Sequence, residues 1–239
     1  MSEHRDGGQG LLYQVEPIQG LGDLEAATST PDPQDLRLGQ ELLYRGQGRY
    51  PDEALIKALG QAHLRLDGTL HINLDAARAM AISDELIQRA AERHSLVVEW
   101  VAAEQSTSSR MTSLIGSRMD AWRRFGVRIA IDDWDDSAEG DARYHAVDNA
   151  PDIVKVDGPL FRQALEGDRE KRRRLITFLD RVRQEGEEIL RVAEWVEQAT
   201  ELEVALAMGA NAAQGYAFRS ARIWIPENRN QESRNGSEE

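Results

Sequence analysis

The stretch Val127-Arg-Ile-Ala-Ile-Asp132-Asp133 is followed, after a polar loop, by Asp152-Ile-Val-Lys155-Val-Asp157. Each apolar run is short and rich in branched residues, as in a buried strand, and each ends in charged side chains. Gly126 precedes the first run, where a glycine commonly ends a helix. This order of helix, strand and polar rim predicts βα units around a parallel sheet.

Eight apolar runs occur along the chain, and five amphipathic helical stretches lie between them. The runs span residues 11–18, 38–44, 69–74, 96–101, 127–131, 153–156, 188–192 and 210–213. The helical stretches span residues 52–66, 75–94, 106–125, 159–185 and 196–208. Eight alternating strands favour a closed barrel over an open doubly wound sheet.

We therefore predict an α/β fold in which residues 11–225 form a single TIM-like (β/α)8 barrel with one early antiparallel strand. Residues 1–10 and 226–239 are polar, which predicts disordered tails at both ends.

Composition narrows the classes of partner. The formal net charge of −13 argues against DNA, RNA and anionic membranes as partners, so an anionic ligand would need metal ions or a local basic cluster. The chain has no cysteine, which excludes disulfides, thiolate zinc sites and cysteine nucleophiles. No apolar run is long enough to span a bilayer, and the first residues lack the hydrophobic stretch of a signal peptide. We expect a cytoplasmic protein.

Polar side chains recur at the carboxyl ends of the predicted strands, which converge on one face of a parallel barrel. A single acid at such a place could simply start a loop or cap a helix. Carboxylates and amides are suitable ligands for hard divalent cations, and a lysine beside them could orient a water molecule. Six positions recur at the same point of the strand and helix cycle: Asn73, Glu99, Asp132, Lys155, Glu194 and Gln214.

The same positions carry an ordered series of seven motifs, which together resemble the signature of EAL domains, the bacterial phosphodiesterases that linearise cyclic di-GMP. The resemblance covers about residues 11–221. The motifs are Glu41-Leu-Leu-Tyr-Arg45, Ile72-Asn73-Leu74, Val98-Glu99-Trp100, Ile131-Asp132-Asp133, Asp152-Ile-Val-Lys155-Val-Asp157, Val192-Ala-Glu194-Trp-Val-Glu197 and Gln214-Gly215-Tyr216-Ala-Phe218.

The resemblance implies a metal-dependent enzyme that hydrolyses cyclic di-GMP to linear pGpG with two Mg²⁺ or Mn²⁺ ions. It implies the following ligands: Glu41, Asn73, Glu99 and Asp132 for one ion, and Asp132, Asp133 and Glu194 for the other. Lys155 and Gln214 would position the attacking water, and Arg45 would contact a substrate phosphate. Trp134 and Trp195 neighbour these ligands, and an aromatic face can stack on a guanine base.

Several positions depart from the family pattern. The family usually follows its aspartate pair with Phe-Gly-x-Gly, where this chain has Trp-Asp-Asp-Ser at residues 134–137. A loop-anchoring glutamate is replaced by Ala102, and a glycine by Trp195. These losses support an alternative: a catalytically impaired EAL-like domain that acts as a cyclic di-GMP receptor or as a protein-interaction module. A homodimer and a regulatory protein that acts in trans are further expected partners.

Overall fold

The computed structural model describes residues 10–21, 37–45, 52–102, 108–218 and 220–226. Nine strands lie in one sheet. They are β1 (Gly10–Gly20), β2 (Arg37–Tyr44), β3 (Thr69–Leu74), β4 (Ser95–Trp100), β5 (Arg128–Trp134), β6 (Ile153–Val156), β7 (Leu190–Ala193), β8 (Ala212–Ala213) and β9 (Ala221–Pro226).

The sheet closes into a barrel. Strands β2 to β8 are parallel neighbours in chain order, and β1 pairs antiparallel with both β2 and β8. This confirms the predicted TIM-like barrel with one early antiparallel strand. Strand β9, which the sequence analysis did not predict, pairs antiparallel with residues 10–15 of β1.

Eight α-helices are described around the sheet. They are α1 (Asp52–Leu59), α2 (Ala76–Ala81), α3 (Asp84–Ala91), α4 (Ser109–Trp122), α5 (Ala138–Ala146), α6 (Gly158–Leu165), α7 (Arg169–Glu185) and α8 (Ala199–Ala207). Two helices that were predicted as continuous are divided. Ser83 accepts a hydrogen bond from the Leu86 amide and starts α3, while Asp168, after the left-handed Gly167, caps α7.

Helix α5 was predicted as part of a polar loop, which is wrong. Ser137 caps its start by accepting a hydrogen bond from the Gly140 amide at 3.0 Å. The helix packs closely on α4, because an ideal Cβ placed on Gly116 would lie 2.0 Å from the Ala146 carbonyl oxygen. Only a residue without a side chain permits this approach.

The predicted domain limits differ from the structure by one residue at each end, since Gly10 belongs to β1 and Pro226 to β9. The rest of the two predicted tails lies outside the described residues. None of the helices in the described part of the chain combines the length and the hydrophobicity that a bilayer span requires.

Candidate functional site

An apolar layer inside the barrel supports a polar layer above it. The lower layer consists of Ile18, Val97, Ala130, Ile153, Val192 and Ala212, which form one buried cluster. Side chains of a strand alternate between its two faces, so the inward position two residues further along each parallel strand lies one layer higher. Those positions carry Glu99, Asp132, Lys155, Glu194 and Gln214. The parallel direction of the strands and the alternation of their side chains therefore explain why the predicted rim residues lie together.

Lys155 lies at the centre of the polar layer. Its side chain is only 1% exposed. Its ammonium nitrogen contacts four carboxylate oxygens: Glu41 Oε2 at 3.0 Å, Glu99 Oε2 at 3.0 Å, Asp132 Oδ1 at 2.9 Å and Glu194 Oε1 at 2.9 Å. The structure thus brings four predicted acids from four different strands or strand ends onto one lysine.

Burial and mutual repulsion perturb the acids around Lys155. Burial raises the pKa of Glu99 and of Glu194 well above the ordinary range, and it raises the pKa of Asp132 to about 6. Burial also acts on Glu41, but the charge of Lys155 and hydrogen bonds from Gln214 and Asn73 outweigh it and lower its pKa to about 2. Such opposed shifts within one cluster are typical of functional sites.

Two groups of oxygen ligands share Asp132. Glu41, Glu99 and Asp132 each bring a carboxylate oxygen within 4.8 Å of the others, and Asp132, Asp133 and Glu194 do the same. The Asn73 amide donates to Glu41 Oε1 at 2.6 Å, while its buried Oδ1 has no hydrogen-bond partner among the described residues. Asn73 therefore has a free acceptor beside the first group.

The donor set fits hard divalent cations. All of these ligand atoms are oxygens, as Mg²⁺, Mn²⁺ or Ca²⁺ would require. Five carboxylates against one ammonium leave a formal excess of four negative charges when all are ionised. Burying uncompensated charge is costly, and two divalent cations would neutralise this excess. The cluster can therefore bind metal ions.

Gln214 and Arg45 extend the cluster toward β1. Gln214 Nε2 donates to Glu41 Oε2 at 2.6 Å and lies 3.4 Å from Glu16 Oε2. Glu16 lies opposite Glu41 in the ladder between β1 and β2, and Arg45 Nη2 is 3.7 Å from Glu16 Oε1. Arg45 also donates to Gln14 at 3.0 Å. It thus provides a half-exposed positive charge beside the acidic cluster.

The two predicted stacking residues differ in their surroundings. Trp134 is 2% exposed, and its ring stacks on Phe178 of α7 with centroids 3.5 Å apart. We therefore do not place Trp134 in a ligand site, because its face is covered by the protein. Trp195 is 54% exposed beside Glu194 and packs over Gly158. Its φ angle of 55° lies in the left-handed region, which favours the glycine found here in the family.

Two residues that were not predicted from the sequence, His71 and Arg143, also contact the site. His71 Nδ1 lies 2.6 Å from Glu99 Oε1, and Gly39 leaves the space that its ring occupies. Burial, together with the charge of Lys155, lowers the pKa of His71 to about 3. Arg143 on α5 donates to the backbone carbonyls of Asp132 and Asp133. His71 precedes Asn73 by two residues, a shared-face spacing that was the available signal.

The sequence profile of the EAL domain family matches residues 46–221. The chain belongs to the EAL domain family. The matched span begins after Glu41 and Arg45, so the structure is what connects these two residues with the other motifs. A search of curated protein sequences found no match.

Solved structures with the same fold include other EAL proteins. A standalone EAL protein from Vibrio cholerae O395, in its c-di-GMP bound form, is 22% identical with a TM-score of 0.64, over 88% of this chain and 92% of that one. Klebsiella pneumoniae BlrP1, in a manganese and cy-diGMP complex, is 21% identical with a TM-score of 0.67, over 92% of this chain and 58% of that one. The PaMucR phosphodiesterase, in a c-di-GMP complex, is 19% identical with a TM-score of 0.65, over 91% of this chain and 98% of that one.

Proposed function

We propose that this EAL domain is a metal-dependent phosphodiesterase that hydrolyses cyclic di-GMP to linear pGpG. The observation that carries the proposal is the pair of oxygen-ligand groups that share Asp132 around Lys155. The complexes of the Vibrio cholerae and Klebsiella pneumoniae proteins support the choice of ligand, and that of BlrP1 supports the choice of manganese.

We assign the metal ligands as the resemblance implied. Glu41, Asn73, Glu99 and Asp132 would hold one Mg²⁺ or Mn²⁺ ion, and Asp132, Asp133 and Glu194 would hold the second. When bound, the two ions would polarise the scissile phosphodiester and lower the pKa of the attacking water. The acids must be ionised to bind metal, so cation binding would displace protons from Glu99 and Glu194.

The remaining residues would orient substrate and water. Lys155 and Gln214 converge on Glu41, where an ammonium and an amide can hold the attacking water in line with phosphorus. Arg45 would offset charge on a phosphate oxygen, in exchange for its contacts with Glu16 and Gln14. Trp195 presents an exposed ring beside Glu194 on which a guanine base could stack.

A receptor that binds cyclic di-GMP without hydrolysing it is the second candidate. The segment after Asp133 favours this function, because it lacks the family glycines and is fixed to α7. Trp134 stacks on Phe178, and Asp136 accepts a hydrogen bond from Arg174 at 3.0 Å. These contacts to α7 would have to break in any rearrangement of the segment that turnover requires.

Anion-exchange analysis of cyclic di-GMP incubated with the purified chain and Mn²⁺ separates these functions. The enzyme produces linear pGpG, and Asp132→Asn, which removes a ligand shared by both groups, abolishes the product. The receptor produces none but binds the nucleotide in calorimetry with Ca²⁺. A chain with neither turnover nor affinity contradicts both functions and leaves the protein-interaction module.

The homodimer, the regulatory protein partner and the cytoplasmic location stay predictions. Light scattering coupled to size-exclusion chromatography, with and without cyclic di-GMP and Mn²⁺, would measure the oligomeric state directly.

A further inference from the structure

The end of β5 is irregular at the two proposed metal ligands. The ladder between β5 and β6 pairs Ile131 with Val154 and then Trp134 with Val156, so β5 contains one extra residue at Asp132 and Asp133. Asp133 has a φ angle of 49°, in the left-handed region that non-glycine residues rarely adopt. The surrounding structure must therefore stabilise this backbone.

Arg143 supplies that stabilisation from α5. Arg143 is 3% exposed, and its guanidinium donates three hydrogen bonds to backbone carbonyls at strand ends. Nη1 lies 2.5 Å from the Asp132 oxygen and 2.8 Å from the Trp100 oxygen, and Nη2 lies 3.0 Å from the Asp133 oxygen. One side chain thus joins the end of β4 to the irregular end of β5.

We propose that Arg143 is a positioning residue that fixes the backbone of Asp132 and Asp133 and so aims their carboxylates at the metal site. The proposal rests on the proposed function, in which those carboxylates are ligands. The hydrogen bonds from Arg143 to Asp132 and Asp133 go to their backbone oxygens and leave both carboxylates available as ligands. The planar fork of a guanidinium can bind several carbonyls at once, whereas an ammonium acts as a point charge.

The helix that carries Arg143 is itself anchored on both sides. Ala146 lies against Gly116 of α4, and the Tyr144 hydroxyl donates a hydrogen bond to Glu185 of α7. Burying a guanidinium costs free energy, and burial lowers the pKa of Arg143. Contacts with α4 and α7 therefore hold α5 in place, so that the buried Arg143 guanidinium lies beside the irregular end of β5 and can donate to the strand-end carbonyls.

The test compares Arg143→Lys with Arg191→Lys in the full chain. Arg191 is a matched control, because it is also buried and donates to backbone carbonyls, those of Gly209 and Ile189, but at the amino ends of β7 and β8. Mn²⁺ affinity is measured by calorimetry on metal-free protein, and stability by thermal unfolding. Arg143→Lys should weaken Mn²⁺ binding by about ten- to a hundredfold, as losses of supporting contacts around metal ligands typically do. Arg191→Lys should lower the melting temperature and leave Mn²⁺ affinity unchanged.

A double-mutant cycle with Asp133→Asn tests whether the effect passes through the proposed ligands. The loss of affinity from Arg143→Lys should be smaller in the Asp133→Asn background, since one of the carboxylates it positions is already removed. If Arg143→Lys does not fold, Arg143→Gln, which keeps an amide donor without the charge, replaces it. Equal Mn²⁺ affinity in wild type, Arg143→Lys and Arg191→Lys overturns the positioning role and leaves the metal site intact. A wild type that binds no Mn²⁺ overturns the proposed function itself, and the positioning role with it.

Discussion

Lys155 is the residue on which the charge balance of the site depends. In the metal-free protein its ammonium is the one cation in direct contact with four described carboxylates. Metal ions would take over part of that compensation and leave Lys155 available to orient a water molecule. The same side chain would then serve stability without metal and catalysis with it.

Replacing Lys155 by methionine should separate these two contributions. In Mn²⁺ we expect the rate of cyclic di-GMP hydrolysis to fall by on the order of a hundredfold, because a contact used mainly in the transition state is lost. Nucleotide affinity in Ca²⁺ should change little. Lys57→Met, on the exposed face of α1, is the matched control. A parallel loss of rate and affinity would instead make Lys155 a binding residue.

His71 should give the metal-free protein a distinct pH dependence. Its pKa is lowered to about 3, below the ordinary value. Between these two pKa values the imidazole ring is neutral in the folded state and protonated in the unfolded state. That stabilisation is fully present above about pH 6.5 and is lost as the pH falls toward 3. Relative to His71→Gln, wild type should lose about 1.4 kcal/mol of unfolding free energy per pH unit between pH 6 and 4. Urea unfolding in EDTA measures the difference, and parallel curves for the two proteins would contradict it.

Among the elements, α5 decides how the end of β5 is held, and its contact with α4 leaves no space at Gly116. Gly116→Ala should push α5 away from α4, because the new Cβ would overlap the Ala146 carbonyl. Overpacking of this kind costs about 1–3 kcal/mol, which lowers the melting temperature by roughly 2–12 °C in a chain of this size. Ser117→Ala, on the exposed face of α4, is the control and should not destabilise the protein. An unchanged melting temperature for Gly116→Ala would mean that α5 can shift freely.

Some strands and helices could be predicted from the sequence, and others could not. Strands β3 and β6 were predicted with their observed limits, because a short apolar run with a polar end is a local signal. Asn73 and Lys155 lie near the ends of these two strands, where polar site residues were predicted. Helix α5 was missed because it is short, highly charged and contains Gly140. Arg143 was missed with it, since its partners lie at the ends of two strands, one of them distant in the chain.

The division of the predicted helix 75–94 was also missed, because it depends on a single residue. The break between α2 and α3 depends on one serine cap within an otherwise continuous apolar pattern. Trp134 follows the aspartate pair in the sequence, and the extra residue in β5 turns its ring toward Phe178. Sequence neighbours of a ligand share its strand, and a bulge changes the face on which they lie.

For the whole molecule, the two groups of acidic ligands inside the barrel predict that metal binding stabilises the fold. Mn²⁺ at a hundred times its dissociation constant should add about 2.7 kcal/mol, or roughly 5–10 °C in melting temperature. Asp132→Asn should remove most of this shift, because both ligand groups lose a member. Asp180→Asn, on the outer helix α7, should retain it. Equal shifts in all three proteins would place the bound Mn²⁺ elsewhere.

Closure of the barrel by β1 also determines the order in which strands pair during folding. Strand β1 is the first barrel strand in chain order and pairs with β8 through Gln19 and Ala213, so this ladder joins residues almost two hundred positions apart. Closing so long a loop is slow relative to the local pairing of β1 with β2. Gln214 and Glu41 meet only after that step. In refolding experiments, Mn²⁺ binding should therefore develop with the last phase, while earlier intermediates expose the edges of β1 and β8 to pairing with other chains.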